Sequence, residues 1–264
     1  MNLPNRPQLS LAKHGNLPRT LIALIGLSAL PCVVAAQGVR LQYNSSEGDS
    51  ASYRMVMDGK TQVFVNNQTQ ESNITTEMYV TQSIKGFKDG IVDLYTKIDS
   101  GQINVNGNIS PIPYIGQQIR TGMKKNGEVV SNTGTVPIDI NSMQFVFPDR
   151  ELDIGDRWDS STPPSAQVPV TLTVVYKIVG MEKIKGRDCV KIASRVRSDK
   201  DTQIRGLSLD VKADGNIYFA YNEGLMIKNS VDSRMTMVLK RVVNEKEEQI
   251  ITKMNMKMGM EYLD

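Results

Sequence analysis

Apolar side chains return at every second position over most of this chain. In YRMVMDGKTQVFV the residues Tyr53, Met55, Met57, Val63 and Val65 share parity. A strand sends alternate side chains to opposite faces, so shared parity means a shared face. NITTEMYVTQSIKGF and IVDLYTKI are joined by KDG, which reads as strand, turn at Asp89-Gly90 and returning strand. QQIRTGMKKNGEVVS predicts a second hairpin with its turn at Asn126-Gly127. Later, Val168, Val170, Leu172, Val174, Tyr176 and Ile178 alternate, and KIKGRDCVKIASRVR turns at Gly186 and runs back. Leu207, Leu209, Val211 and Ala213 share a face up to Asp214-Gly215, where a turn is expected before Ile217, Phe219 and Tyr221. Met235, Met237 and Leu239 continue the pattern, and QIITKMNMKMGMEYL forms the last strand. NNQTQES, between Val65 and Ile74, reads as an exposed connection.

Long strands with one polar face fit a sheet buried on one side. The expected fold is mainly β: a large curved antiparallel sheet or open half-barrel with little helix, compatible with two similar β-meander halves. A short helix is expected only within TVPIDINSMQFVFP, where Ile138, Met143, Phe145 and Phe147 are placed to cover an open sheet end. EGDSASY and IGDRW, each ahead of a long strand, give a faint internal echo. The Pro-rich segment FPDRELDIGDRWDSSTPP divides the chain. The domains expected are a 1–36 signal peptide, a 37–147 N-terminal β half, a 148–167 junction and a 168–264 C-terminal β half. Trp158, the only tryptophan, is expected to plug the packing there.

The last strand carries the most unusual feature. Met254, Met256, Met258 and Met260 occupy alternate positions, and Tyr262 continues the series. On a strand they make one thioether stripe. Such a stripe suits an adaptable apolar surface, or a soft metal such as Cu(I), which thioethers select.

The first 36 residues carry Arg6, Lys13 and Arg19, then the apolar run LIALIGLSALPCVVAA. The run is short for a membrane span and is interrupted by Gly26 and Pro31. It reads as a secretory signal cut near Ala36, with an uncleaved anchor as the alternative. The whole chain holds 31 Lys and Arg against 28 Asp and Glu; without those three basic residues the balance is neutral. No basic footprint for nucleic acid then remains. His14, the one histidine, also leaves with this segment, and so does Cys32, so Cys189 is the only cysteine beyond it. Without histidine, neither a Ser-His-Asp relay nor histidine-ligated zinc can be built.

PDRELDIGDRW resembles the phrase P…vkvGDsW of exported bacterial β-rich proteins of unknown function. GRDCVKIASRVR followed by ADGNIYFAYNEGLMIKNS resembles their later pattern, in which a strand precedes a hairpin. Those proteins are loosely similar to the LolA/LppX-like periplasmic carriers. The resemblance runs from about Tyr43 to the C-terminus as a pattern of turns and faces, with no diagnostic residue. It implies a curved antiparallel sheet that wraps over helices and encloses an apolar cavity for lipid.

Other chemistry is poorly provided for. Asp149, Glu151, Asp153, Asp156 and Asp159 crowd the junction, but Arg150 and Arg157 lie among them and the segment reads as a solvated loop. Asp210, Asp214 and Asn216 lack the alternating oxygen donors and closing Glu of a calcium loop. The expectation is therefore an exported, periplasmic or extracellular, non-enzymatic protein that binds a lipid or other apolar ligand and has no cofactor. Met235, Met237, Met254, Met256, Met258, Met260, Leu209 and Phe219 are the candidate lining. One alternative is a structural or protein-interaction module of the cell envelope. The other is a periplasmic Cu(I)-binding protein using Met254, Met256, Met258 and Met260. Expected partners are an apolar small molecule or lipid, or an envelope protein. Peripheral membrane contact is compatible with this, and neither nucleic acid nor a transmembrane segment in the mature chain is expected.

Overall fold

The computed structural model describes residues 38–44, 46–65, 68–133, 145–162, 170–199, 203–204, 206–243 and 246–264. The expected signal peptide, and most of the segment expected to hold a short helix, lie outside them. The strands are β1 (Val39–Arg40), β2 (Ser50–Val65), β3 (Gln68–Lys88), β4 (Ile91–Val105), β5 (Asn108–Pro111), β6 (Gln118–Lys124), β7 (Val129–Thr133) and β8 (Glu151–Leu152). Then come β9 (Arg157–Thr162), β10 (Leu172–Ile184), β11 (Arg187–Ser198), β12 (Gln203–Ile204), β13 (Leu207–Ala220), β14 (Leu225–Val243) and β15 (Lys246–Leu263). The described residues contain no helix.

Thirteen strands form one sheet, with the path β7-β6-β4-β3-β2-β15-β14-β13-β11-β10-β9; β5 adds to β4 and β12 to β13. All pairings are antiparallel. The chain starts at the centre with β2 and meanders out to β7. It re-enters at the far edge as β9 and meanders back, so that its last strand, β15, pairs with β2. Two meanders thus share one open antiparallel sheet. β1 and β8 make a separate two-stranded pair.

The turns follow their local chemistry. Asp89-Gly90 and Lys185-Gly186 close two-residue hairpins with positive φ at both positions, the geometry that matches strand twist. The expected turn at Asp214-Gly215 does not form. β13 runs straight through it, and the reversal comes at 221–224. Gly215 lies in extended backbone, where a Cβ would stand 2.6 Å from the Ser230 carbonyl oxygen. Here glycine permits close strand approach rather than a turn. NNQTQES is also not a simple connection, since Gln68–Ser72 pair with β2.

The register has one irregularity in each of the pairs β10–β11, β13–β14 and β6–β7, and two in β3–β4. None occurs along β2–β15 or β14–β15. Bulges bend and twist a strand. They fall near Val80, Ile84, Met123, Ile178 and Phe219, all of which belong to the main core cluster. That end of the sheet is closed over an aromatic plug. Tyr43, Phe145 and Phe147 pack against Trp158, Tyr176 and Phe219 from the sheet. Trp158 stacks on Tyr176 at 5.2 Å and donates Nε1–H to the Val146 carbonyl at 3.0 Å. The Phe145 amide donates to the Tyr43 hydroxyl at 2.9 Å. Backbone bonds from Tyr43 to Lys125 and from Phe147 to Asn126 tie the plug to the β6–β7 turn. Gly127 in that turn has φ 92°, and a Cβ there would collide with the Phe145 carbonyl.

Burial makes this end sensitive to base. It pushes the Tyr176 hydroxyl up to about 12 and drives those of Tyr43 and Tyr53 higher still. In the unfolded chain each ionises near 10. Above that pH the unfolded state holds fewer protons than the folded one, so stability falls as pH rises. We expect part of the phenolate absorbance of the 9 tyrosines to appear only with cooperative unfolding. Titration of all of them near their ordinary value in a still-folded protein would contradict this.

Candidate functional site

Cross-strand partners share a face, so the register sorts the sheet into rows. Next to the plug, Val80, Tyr53 and Tyr262 stand side by side on the inner face. The next row is Met78–Met55–Met260–Asn229, across β3, β2, β15 and β14. The one after it is Thr76–Met57–Met258–Val231. Five methionines therefore meet in two adjacent rows, with directly opposed Cβ atoms about 5 Å apart. Exposure grades along the stripe: Met260 is 5% exposed and Met258 39%.

Over these rows lies a groove of about 450 Å³, within the range of small-molecule sites, roughly 300–1,000 Å³. Met55, Met57, Met78, Met258 and Met260 line it with Ile103, and Ile112, Pro113 and Tyr114 lie along one wall. That wall is anchored where the Ile112 amide donates to the Gly101 carbonyl at 3.2 Å. Among the described residues, no charged side chain lines the groove.

Of the residues expected to line a ligand site, Met258 and Met260 lie along this groove. Met256 faces Gly59 and Ser233, and Met254 faces Thr61 and Met235, on the same face but farther from the plug. Met237 pairs with Leu209 one row beyond. Phe219 is buried in the plug against Tyr43 and Phe147. The lining that sequence reasoning missed comes from β2, β3, β4, β14 and the segment after β5. The M-x-M pair Met55/Met57 is its one visible signal, and its parity with Tyr53 already placed it on a single face.

A larger hollow, about 1,170 Å³, lies on the outer face among charged residues including Asp58, Lys60, Lys212, Arg234 and Lys257. Its polarity makes it the wrong surface for an apolar ligand. Arg195 bonds Asp214 at 2.7 Å and holds that carboxyl below its ordinary range. Lys212 holds Asp210 at 2.9 Å. With Asn216 these acids sit along one extended strand, so no loop wraps an ion. Among the described residues no group of three or more His, Cys, Asp or Glu is placed to hold a metal. At the junction, Asp149 pairs with Arg40 and Asp156 with Arg150. No helix of the described residues is long and apolar enough to cross a membrane.

The chain matches no family model and no curated protein. Among solved structures it is similar to lipovitellin, in a structure concerned with that protein's lipid–protein interactions. The identity is 10% and the TM-score 0.46, over 81% of this chain and 25% of that one. It is also similar to a DUF1329 family protein from Desulfovibrio piger, at 11% identity and TM-score 0.22, over 81% of this chain and 86% of that one. The chain thus spans a quarter of the lipovitellin chain. At these scores neither likeness carries a functional argument. The large open sheet agrees with what the LolA/LppX-like resemblance implies, but the described residues fill its closed end with aromatic side chains rather than helices.

Proposed function

We propose that this chain is an exported, non-enzymatic protein that binds a lipid or other apolar ligand on the inner face of its sheet. The observation that carries the reading is the uncharged groove over Met55, Met57, Met258 and Met260. Methionine is unbranched and polarizable, so a floor made of it adjusts to ligands of different shape. The binding energy is burial, at roughly 0.8 kcal/mol for each methylene removed from water. The stripe through Met256, Met254 and Met235 extends the same surface away from the plug, so a long acyl chain can continue along it.

Pyrene, a fluorescent hydrocarbon with no polar group, tests this directly. Its vibronic band ratio is expected to shift to the apolar value as protein is added, with saturation at one site. Native mass spectrometry of protein purified from its own host is expected to show extra mass that leaves on denaturation and matches a lipid. Absence of pyrene binding by the folded protein would remove the proposal. A Cu(I)-sized increment would assign the methionines to metal instead, and a stable protein partner without bound lipid would favour the envelope module.

A further inference from the structure

Among the described residues, three buried side-chain polar atoms have no hydrogen-bond partner: Thr76 Oγ1, Thr121 Oγ1 and Asn229 Oδ1. Two of the three, Thr76 and Asn229, line the methionine groove. An unsatisfied buried donor or acceptor costs about 1–3 kcal/mol, and buried polar groups are nearly always paired. Both atoms lie just beneath an otherwise apolar surface, closed off from water in the empty groove, and a ligand toward which either side chain turns would complete them.

Their placement is specific. Asn229 stands beside Met260, in the row nearer the plug. Thr76 stands beside Met57, one row farther out and three strands away, about 14 Å across a flat sheet. Met55, Met57, Met258 and Met260 form the floor between them. An amide both donates and accepts, and a threonine hydroxyl does the same. With no cation among the described residues that line the groove, an ionised carboxylate or phosphate head would lose its hydration without compensation.

We propose that the groove selects an uncharged amphiphile, such as a neutral lipid bearing a hydroxyl or amide, whose polar group hydrogen-bonds to Asn229 or Thr76 while its apolar body lies on the methionines. This rests on the reading of the groove as an apolar-ligand site and adds the class of head group.

Competition against pyrene tests the two claims separately. Dodecanol and dodecanoate share a chain and differ in head charge at neutral pH. The wild-type protein is expected to bind dodecanol about tenfold more tightly than dodecanoate. The double substitution Thr76→Val and Asn229→Leu makes the lining more apolar, so it is expected to keep pyrene binding and to weaken dodecanol about tenfold relative to pyrene, a hydrogen bond's worth. Asn229→Leu alone, which removes the amide nearer the plug, serves as a second variant. Both variants are expected to be at least as resistant to urea as wild type, since each removes an orphaned polar atom. Equal binding of dodecanol, relative to pyrene, by wild type and the double variant overturns the head-group proposal while pyrene binding still stands. So does dodecanoate binding as tightly as dodecanol. A wild-type protein that takes up no pyrene overturns both claims.

Discussion

Replacing Met57 and Met258 together with aspartate is expected to abolish pyrene binding and leave the protein folded. The two residues face each other across β2 and β15, in the outer of the two rows that floor the groove. Met57 is half-buried and Met258 is 39% exposed, so carboxylates there keep access to water. Two thioether chains lost from the floor remove about four methylene equivalents of contact, or about 3 kcal/mol. That alone lowers affinity about 100-fold, and two hydrated charges across the floor exclude a hydrocarbon further. The cost to the fold is smaller, because like charges directly opposite on a sheet repel by up to about 1 kcal/mol. The measurement is the pyrene titration beside a urea curve. A folded double variant that still binds pyrene with wild-type affinity would show that this floor is not the site.

Phe147→Ala is expected to be the most damaging of the simple truncations at the closed end. Phe147 is 1% exposed. Its ring lies 4.7 Å from that of Phe219, 5.6 Å from Tyr43 and 6.4 Å from Trp158. It therefore joins the chain segment ahead of β2, the junction and the second meander. Truncating a buried phenylalanine costs about 3–5 kcal/mol through lost transfer energy and the cavity left behind, and aromatic contacts are lost with it. With a urea slope of roughly 2 kcal/mol per molar, the midpoint falls by about 2 M. Trp158 reports the transition without labelling, since it is the only tryptophan and packs against the substituted ring. Phe87→Ala is the control: that ring is half exposed, so its truncation is expected to stay within about 0.5 kcal/mol of wild type. A wild-type midpoint for Phe147→Ala would mean that the plug does not hold the sheet closed.

Several elements were legible residue by residue because their signals are local. Asp89-Gly90, Asn126-Gly127 and Gly186 sit in the expected hairpin turns. The Asp214-Gly215 signal misled because a dipeptide does not tell a turn from a crowded strand. The unbroken parity from Leu207 to Phe219 carried the correct answer, since a two-residue turn does not continue a strand's own alternation. Gln68 to Ser72 looked like a loop because they are polar, yet polar side chains are acceptable on the free end of a long strand. Thr76 and Asn229 gave no signal as groove residues. Each is an ordinary polar residue in an alternating stretch, and only its neighbours on other strands make it an orphan.

The sequence by itself determined that Met254, Met256, Met258 and Met260 share a face, because alternation is a property of one strand's backbone. It also determined the mainly β class, through the same period repeated along the chain. The tertiary structure decided that the first long strand lies against the last, which sets Met55 and Met57 opposite Met260 and Met258. That pairing joins residues some two hundred positions apart in the chain and depends on every intervening strand finding its neighbour. The structure also decided which end of the stripe is buried. Bulges and the aromatic plug close one end of the sheet over Tyr53 and Phe219, and the methionine rows just outside that plug remain as a groove.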